Sequence, residues 1–394
     1  MKWIELGELC EVKAGQGAPQ HKEEYSEKGI PFIRAGNLEA LTNGNPLDIC
    51  DKVAKEAGDA KGLKLQKEGS VVFAKSGMSC LKSYIYRIPI NCYVVNHLAC
   101  LTVIDDRLSS RYLCYVLNYI KPKTLINDLS YPSIRLGDIS KMKIPVPPMD
   151  TQKRIVEVLD EAQSLIDKRK EQIELLDDLI ESIFYDMFGD PVKNDKGWKV
   201  KKLGELIEVN PKKSEISGIK DSDLEISFVP MENVLEDGKL ILEETRKISD
   251  VYKGYTYFKE DDILFAKITP CMENGKGCIA KGLLNNIGFG STEFHVLRPK
   301  NNLLAKEYVF HLSKSKKFRK EAENKMTGSA GQKRVPKKFI EDYFINVPPL
   351  LLQNQFAEKV EAIEKQKELM EESLKLMEDN YNSIMQRAFK GELF

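Results

Sequence analysis

The stretch IPVPPMDTQKRIVEVLD at residues 144–160 returns as INVPPLLLQNQFAEKVE at residues 345–361. Both copies contain Val-Pro-Pro, and the glutamines Gln152 and Gln353 follow it at the same spacing. Downstream of each copy, apolar residues recur at helical spacing. The pattern predicts that the chain is a tandem duplication of about half its length, with each half ending in a long helix.

Shorter segments repeat in the same order and support the duplication. Trp3 and Trp198 each precede one copy of an LGEL segment, and six of the seven letters of that segment's two copies are identical. The repeated pairs are LGELCEV (6–12) with LGELIEV (203–209), VVFAK (71–75) with ILFAK (263–267), and RYLCYVL (111–117) with EYVFHL (307–312).

Both predicted helices carry heptad stripes of apolar residues, interrupted by Arg169 in the first and by Lys367 in the second. Gly189 and Pro191 predict the end of the first helix, because glycine accepts the left-handed cap conformation and proline cannot continue the hydrogen-bond ladder. Since the outer faces are charged, the simplest way to bury both stripes is an antiparallel pair, with an approximate two-fold axis within the chain. The predicted helix-pair interface comprises Ile155, Leu159, Ile166, Ile173, Leu176, Ile180, Ile183, Phe356, Val360, Ile363, Met370, Leu374, Met377, Tyr381 and Ile384.

The segments between the helices mix short β-like runs with helical stretches. We therefore predict an α+β chain of two tandem globular domains, each followed by a long helix. The predicted strands are 71–74, 84–87, 263–266 and 293–297, and the predicted helices are 110–120 and 305–321. The predicted segments are domain 1 (1–149), the first spacer helix (150–189), domain 2 (190–349) and the second spacer helix (350–394).

The composition argues against several classes of protein. Sixty basic residues balance 60 acidic residues, so any binding of nucleic acid must rely on local positive charge. Eight cysteines form no C-x-x-C pair and the four histidines are well separated, so neither a zinc site nor a disulfide framework is predicted. No apolar run approaches the roughly 18 residues that span a bilayer, and no signal-peptide pattern opens the chain, so we expect a cytoplasmic protein.

Motifs of the enzymes that act on nucleic acid are also missing. The chain has no dinucleotide fingerprint and no phosphate-binding loop. Its Val-Pro-Pro is followed by Met149 or Leu350, whereas an adenine methyltransferase is expected to show Asn/Asp-Pro-Pro followed by an aromatic residue. Adjacent carboxylates such as Asp261 and Asp262 are expected by chance at 30% charged residues. We therefore expect no catalytic centre, no metal site and no cofactor in this chain.

Clusters of basic and small polar residues occupy matching places in the two halves, one after the repeated FAK and one before the Pro-Pro. Small residues let backbone N–H groups approach a phosphate, while arginine and glutamine can make bidentate contacts to base edges. The predicted DNA-contacting residues are Lys75, Ser76, Ser130, Tyr131, Ser133 and Arg135 in the first half and Lys267, Thr269, Asn274, Lys276, Ser329, Gly331, Gln332, Lys333 and Arg334 in the second.

With these residues the whole chain resembles the specificity subunits of type I restriction-modification systems. The motifs that carry the resemblance are the LGEL opening after tryptophan, FAKITPCMENGKG (265–277), GFGSTEFHVLRP (288–299), GSAGQKRVP (328–336) and VPPL followed by glutamine and a long helix. The first half departs from this pattern, since SYPSIR (130–135) replaces the glycine-rich loop.

The resemblance implies that each globular half is a target-recognition domain for one part of a split sequence in double-stranded DNA. It also implies that the paired helices set the gap between the two parts and bind two methyltransferase subunits and, through them, motor-nuclease subunits. S-adenosylmethionine, ATP and magnesium are then expected on those partner subunits only. Two alternatives stay open: a coiled-coil protein-binding scaffold or anti-restriction adaptor without sequence readout, and a solitary enzyme with an unfamiliar site.

Overall fold

Two compact units make up the chain: unit 1, which is Met1–Lys170 with Ser373–Phe394, and unit 2, which is Glu171–Glu372. The computed structural model describes residues 2–190, 193–300, 303–329 and 331–394. The units do not coincide with the four segments predicted from the sequence, because each unit includes part of both long helices.

Unit 1 contains three sheets. Its strands are β1 (Lys2–Glu5), β2 (Cys10–Ala14), β3 (Tyr25–Ile33), β4 (Lys52–Val53), β5 (Val71–Ala74), β6 (Ile85–Arg87), β7 (Tyr93–Val94), β8 (Leu98–Val103) and β9 (Lys143–Val146). Its short helices are α1 (Leu6–Leu9), α2 (Leu38–Thr42), α3 (Lys55–Ala60), α4 (Ser79–Lys82), α5 (Ser110–Ile120) and α6 (Leu136–Lys141). The sheets have the orders β2-β8-β5-β6, β4-β3-β7 and β1-β9.

The first long helix, α7 (Met149–Phe188), contributes to both units, and unit 2 then repeats the plan of unit 1. Its strands are β10 (Lys199–Lys202), β11 (Ile207–Val209), β12 (Glu225–Val229), β13 (Glu244–Lys247), β14 (Thr256–Lys259), β15 (Ile263–Ala266), β16 (Gly277–Ile279), β17 (Ile287–Gly290), β18 (Phe294–Pro299) and β19 (Phe344–Val347). Its helices are α8 (Leu203–Leu206), α9 (Ile248–Val251), α10 (Lys306–Lys314), α11 (Lys316–Asn324), α12 (Lys337–Asp342) and the second long helix, α13 (Leu350–Lys390). The sheets have the orders β11-β18-β15-β16, β13-β12-β17-β14 and β10-β19.

The repeated sequences form corresponding elements. VVFA and ILFA are the strands β5 and β15, and every residue of both is buried, because each strand is covered on both faces. The two LGEL segments are the short helices α1 and α8, whose leucines are all buried. This architecture confirms the predicted α+β fold, with two tandem domains that are each followed by a long helix.

One helix predicted from the sequence is wrong, while another is confirmed. The predicted helix 110–120 is α5, with the same bounds. The predicted single helix 305–321 is divided into α10 and α11, because Ser315 between them has extended backbone. The Ser315 hydroxyl accepts a hydrogen bond from the N–H of Phe318 and so caps the second helix.

Both long helices begin directly after the Pro-Pro pair. Helix α7 ends at Phe188 and is followed by Gly189 with a φ of 76°, the left-handed cap conformation that favours glycine. Pro191, which also predicts this end, lies outside the described residues. Helix α13 ends at Lys390 and does not continue to residue 394.

Within each unit the two long helices pack against each other and run antiparallel. In unit 1, Ile155 and Leu159 share a core with Phe389, and the ammonium of Lys170 lies 3.0 Å from a carboxylate oxygen of Glu378. In unit 2, the ring of Phe356 lies 5.2 Å from that of Phe188. Positions later in α7 therefore meet positions earlier in α13, as the antiparallel prediction requires.

The predicted seam residues lie on the covered faces of the helices. Ile155, Leu159, Ile166, Ile180, Phe356 and Val360 are buried. The remaining predicted seam residues are half-buried: Ile173, Leu176, Ile183, Ile363, Met370, Leu374, Met377, Tyr381 and Ile384. The apolar stripes are thus what the helices bury.

The cation that interrupts the second stripe is buried and paired. Lys367 is 3% exposed, and its ammonium lies 2.7 and 2.9 Å from the two carboxylate oxygens of Asp177 on α7. Burial alone lowers the pKa of a lysine, but the Asp177 carboxylate, with Glu364 and Asp237 nearby, raises the pKa of Lys367. Because Lys367 is buried while Asp177 is half-exposed, we expect the pair to restrict helix register more than it adds stability.

Asp177→Asn leaves the Lys367 ammonium buried beside a neutral partner. We expect the free energy of unfolding to fall by about 1–2 kcal/mol, since Asp177 is itself half-exposed and solvent screens part of the loss. Lys367→Leu completes the apolar seam and is expected to be neutral or stabilising. Urea unfolding of both variants measures these effects, and a strongly destabilised Lys367→Leu would contradict this account of the pair.

Each long helix is fastened to its globular part by a buried glutamine. The side-chain oxygen of Gln353 accepts the N–H of Ala305 at 2.8 Å, and its amide group donates to the carbonyls of Leu303 (3.2 Å) and Pro348 (2.8 Å). In unit 1, Gln152 makes the same three kinds of hydrogen bond with Ser109, Arg107 and Pro147. This is why a glutamine follows the Pro-Pro pair at the same spacing in both halves.

Gln353→Leu removes three hydrogen bonds from a fully buried position. We expect a loss of about 2–4 kcal/mol in the free energy of unfolding, because the backbone groups left behind have no water to replace the amide. Gln355→Leu, at an exposed position of the same helix, is the matched control and is expected to change stability by less than about 0.5 kcal/mol. Equal effects of the two substitutions in chemical denaturation would rule out this role for Gln353.

Candidate nucleic-acid interface

The two polar clusters predicted for the first half lie side by side in unit 1. One follows β5 and the other precedes α6, and a short antiparallel bridge joins Ser76 to Ser133. The N–H of Ile134 donates to the carbonyl of Lys75 at 2.7 Å, and the N–H of Gly77 donates to the carbonyl of Pro132 at 2.9 Å. Residues 75–79 and 129–135 are called loop pair 1 below.

Unit 2 has the same arrangement at the equivalent place. Residues 267–271 follow β15, and residues 327–329 and 331–335 precede α12; these segments are called loop pair 2. A bridge joins Ile268 to Arg334, the N–H of Val335 donates to the carbonyl of Lys267 at 2.9 Å, and that of Thr269 donates to the carbonyl of Lys333 at 3.0 Å. The backbone therefore brings the two predicted clusters together in both units and in the same way.

Loop pair 1 exposes most of its predicted contact residues. Ser130, Tyr131, Ser133 and Arg135 are exposed, whereas Lys75 and Ser76 are half-buried. The hydroxyl of Ser76 lies 2.8 Å from the Nδ1 atom of His97, and the N–H of Ser130 donates to the carboxylate of Asp128.

Loop pair 2 exposes small, amide and cationic groups. Ser329, Gly331, Gln332 and Lys333 are exposed. Gly331 has a φ of 80°, a backbone conformation that side chains other than glycine rarely adopt, and no atom within 4 Å crowds it. The segment can therefore bring its backbone close to another molecule.

Arg334 already has a partner within unit 2. Its Nε and Nη2 atoms donate to the two carboxylate oxygens of Glu293 at 2.9 and 2.8 Å. These hydrogen bonds lower the pKa of Glu293 and raise that of Arg334. The guanidinium therefore anchors the end of loop pair 2, although the sequence suggested a contact to a base edge.

Three other predicted residues of the second half are bonded internally or half-buried. The amide of Asn274 donates to Glu236 at 2.9 Å, and the ammonium of Lys276 lies 3.5 Å from the carbonyl of Met231. Lys267 is half-buried, and burial lowers the pKa of its ammonium. DNA contact by these three residues stays a prediction from the sequence.

His295 supports loop pair 2 from beneath and was not among the predicted site residues. It is 4% exposed, its Nε2 atom lies 2.8 Å from the carbonyl of Val335, and its Nδ1 atom lies 3.2 Å from the amide nitrogen of Asn210. The carbonyl needs a donor and the amide needs an acceptor, so the ring is neutral with its proton on Nε2. Burial accordingly lowers the pKa of His295 to about 4. His295 lies within the strand predicted at residues 293–297, and a histidine inside a buried strand is the signal that could have identified it.

His295 should make unit 2 sensitive to acid. Its pKa in the folded chain lies below the ordinary value of 6.5, so only the unfolded chain takes up its proton as the pH falls from about 6.5 to about 4. The stability advantage of the wild type over His295→Gln should therefore shrink by about 2–3 kcal/mol between pH 7 and pH 4. Denaturant unfolding at both pH values measures it, and a difference independent of pH would contradict a neutral buried imidazole.

Other kinds of site find little support in the described part of the chain. In residues 2–190, 193–300, 303–329 and 331–394, no group of three or more histidine, cysteine, aspartate or glutamate side chains is placed to hold a metal ion. No helix within the same ranges is both long and apolar enough to cross a membrane.

The sequence matches the family model described as "Type I restriction modification DNA specificity domain" over residues 1–175 and again over 195–378. The chain belongs to this family. The two matches correspond to the two halves of the internal repeat, so the resemblance seen in the motifs is confirmed for both halves, including the first, whose loop departs from the pattern.

Named relatives agree with this assignment. The chain is 45% identical over 162 residues to the type I restriction enzyme EcoAI specificity subunit of Escherichia coli, a match that covers 41% of this chain and 27% of that protein. It is 24% identical over 400 residues to the StySPI specificity subunit of Salmonella potsdam, covering 92% of this chain and 82% of that protein. The match to the more similar relative thus spans only about a quarter of that protein's length.

Solved structures show that the fold extends over the whole chain. A type I restriction-modification S subunit from M. genitalium superposes with a TM-score of 0.53 at 13% identity, covering 98% of this chain and 96% of the other. A chain from a structure of type I R-M complex assembly gives 0.56 at 16% identity, with 100% and 98% covered. At these identities the likeness concerns the fold.

Proposed function

We propose that this specificity subunit binds double-stranded DNA and reads a bipartite site, with each unit recognising one part. The observation that carries the proposal is the recurrence of one backbone framework with different exposed side chains. Both loop pairs join the end of a buried strand to the segment before a short helix, yet one displays Tyr131 and Arg135 and the other displays Gln332 and Lys333. A constant scaffold with variable loops suits two readers of two different sequences.

The chemistry of the loops suits contact with DNA at two levels. Exposed serines, the backbone of Gly331 and the ammonium of Lys333 suit contacts to phosphate, which position a protein on the duplex. Gln332 is able to bond bidentately to an adenine edge, and Arg135 to a guanine edge. Arg334, held by Glu293, would act as a positioning residue for these groups.

The paired helices supply the second part of the proposed function. A helix of 40 residues is about 60 Å long, more than one turn of DNA at about 34 Å, so a pair of them is suited to set the gap between the two parts of the site. Their charged outer faces would bind two methyltransferase subunits and, through them, motor-nuclease subunits. Methyl transfer and cleavage would occur on those partners, which would bind S-adenosylmethionine, ATP and magnesium.

Methylation mapping tests this function directly. Genomic DNA is sequenced from cells that express this chain with its methyltransferase subunit and from cells that express the methyltransferase alone. We expect a bipartite methylated motif only when the chain is present, and exchange of residues 190–349 for those of a relative should change one part of the motif only. A stable complex that methylates no motif would favour the protein-binding scaffold instead.

Single substitutions in loop pair 2 separate the two levels of contact. Lys333→Ala should weaken binding to all sequences and lower the slope of log affinity against log salt concentration by about 1, since one phosphate contact is lost. Gln332→Ala should cost about 1–3 kcal/mol on the cognate site, relax selection at one base pair and leave the slope unchanged. Fluorescence anisotropy at several salt concentrations measures both effects, and an identical response of the two variants would contradict the assignment.

A further inference from the structure

Loop pair 1 holds three apolar side chains in open solvent. Tyr131 is 83% exposed, Leu129 is 71% exposed and Met78 is 68% exposed. They lie on two loop segments that run next to each other: the N–H of Gly77 donates to the carbonyl of Pro132 at 2.9 Å. Large apolar side chains clustered at this level of exposure mark a surface that meets another molecule.

Three cations and the carboxylate of Asp128, which accepts the N–H of Ser130, lie near this apolar tip. Lys75 and Arg135 flank it within loop pair 1, and Lys123 lies on the segment 122–125, which contacts α4. In the described part of the chain no carboxylate forms an ion pair with any of these three cations, whereas Lys82 nearby is paired with Glu39. An apolar tip with three cations near it that have no ion-pair partner, against the single charge of Asp128, is complementary to nucleic acid, whose phosphates surround stacked, apolar base faces.

The equivalent loops of unit 2 present different chemistry. Along residues 267–271, 327–329 and 331–335 no large hydrophobic side chain is exposed. Met272, just beyond the first of these segments, is buried, and Ile268 is half-buried. The same framework thus carries an apolar tip in unit 1 and glycine, amide and ammonium groups in unit 2.

We propose that the Tyr131 ring, with Met78 and Leu129 beside it, inserts against the bases of the half-site bound by unit 1 and partly unstacks one base step. In unit 1, the ease with which that step unstacks then adds to the base-edge contact proposed for Arg135, whereas unit 2 selects by hydrogen bonds to base edges. This inference rests on the proposed DNA-reading function and names how one half of the site is read.

The backbone behind the tip is held in place, as a wedge requires. Pro132 is buried directly after Tyr131, and the Ser76–Ser133 bridge ties the loop to the end of a fully buried strand. On the other side, the N–H of Ser130 donates to Asp128 at 2.8 Å. A rigid aromatic side chain on a fixed loop loses little entropy on binding, so most of its stacking energy remains available.

The test uses the complex of the full chain with its methyltransferase subunit, on duplexes of the methylated motif with 2-aminopurine at successive positions. We expect fluorescence to rise at one step within the half read by unit 1. Tyr131→Ala should abolish this rise and weaken binding about tenfold or more, while Tyr131→Phe, which keeps the ring, should retain both. Met78→Ala should reduce the rise, because the apolar area of the tip becomes smaller.

Gln332→Ala is the matched control in unit 2, and it should weaken binding while leaving the fluorescence rise unchanged. Folding is not at issue, since the substituted side chains of loop pair 1 are exposed.

If the wild-type complex methylates a bipartite motif but Tyr131→Ala keeps wild-type affinity and fluorescence, the wedge is overturned and the DNA-reading function stands. If Tyr131→Ala instead releases the methyltransferase subunit, the tip is a protein-docking site and the wedge is again overturned. If the wild type methylates no motif, both proposals fall.

Discussion

The fold of each unit depends on one buried glutamine. Gln152 in unit 1 and Gln353 in unit 2 satisfy the backbone where the first turns of a long helix meet the globular part, and neither position is reached by water. A buried amide that accepts one hydrogen bond and donates two allows only one placement of the helix against the sheets. Because the Pro-Pro pair and the loop before it lie in the same stretch of chain, the contacts that place the helix also place the second segment of each loop pair.

Pairing of the long helices is the second constraint. It combines hydrophobic contact, which does not fix the register, with a charged pair, which favours one register. Apolar stripes would bury themselves in several registers, since hydrophobic contact is not directional. The buried ammonium of Lys367 favours a register that brings a carboxylate to it, and Asp177 provides one. Aromatic contacts hold the helices in both units as well: the ring of Phe389 packs on Tyr112 and Tyr119 in unit 1, and the ring of Phe356 packs on Phe184 and Phe188 in unit 2.

In the candidate interface, the residues that hold the backbone in place differ from the residues that are exposed to a partner. Bridges between strand ends and pre-helix loops, together with Arg334, Glu293 and His295, hold the backbone and are occupied by internal hydrogen bonds. The side chains left for a partner are those without such internal bonds: the apolar tip of unit 1 and the side chains of Gln332 and Lys333 in unit 2. This division explains how the loops can differ so much between the halves while the framework beneath them does not.

Periodicity and repetition in the sequence determined the duplication, the α+β class, the two long helices and their seam, because these follow from local patterns of burial. Helix 110–120 followed in the same way, but the break at Ser315 depends on a capping hydroxyl that an apolar pattern does not register. Only the tertiary structure decided which side chains are exposed and which are bonded to other parts of the chain. Arg334 and Asn274 are predicted from the sequence as DNA contacts, and nothing in the local sequence marks Met78 and Leu129 as exposed. Yet distant partners, Glu293 and Glu236, occupy the first two, and no part of unit 1 covers the second two. Exposure and pairing arise from contacts between residues far apart in the chain, and no local pattern records them.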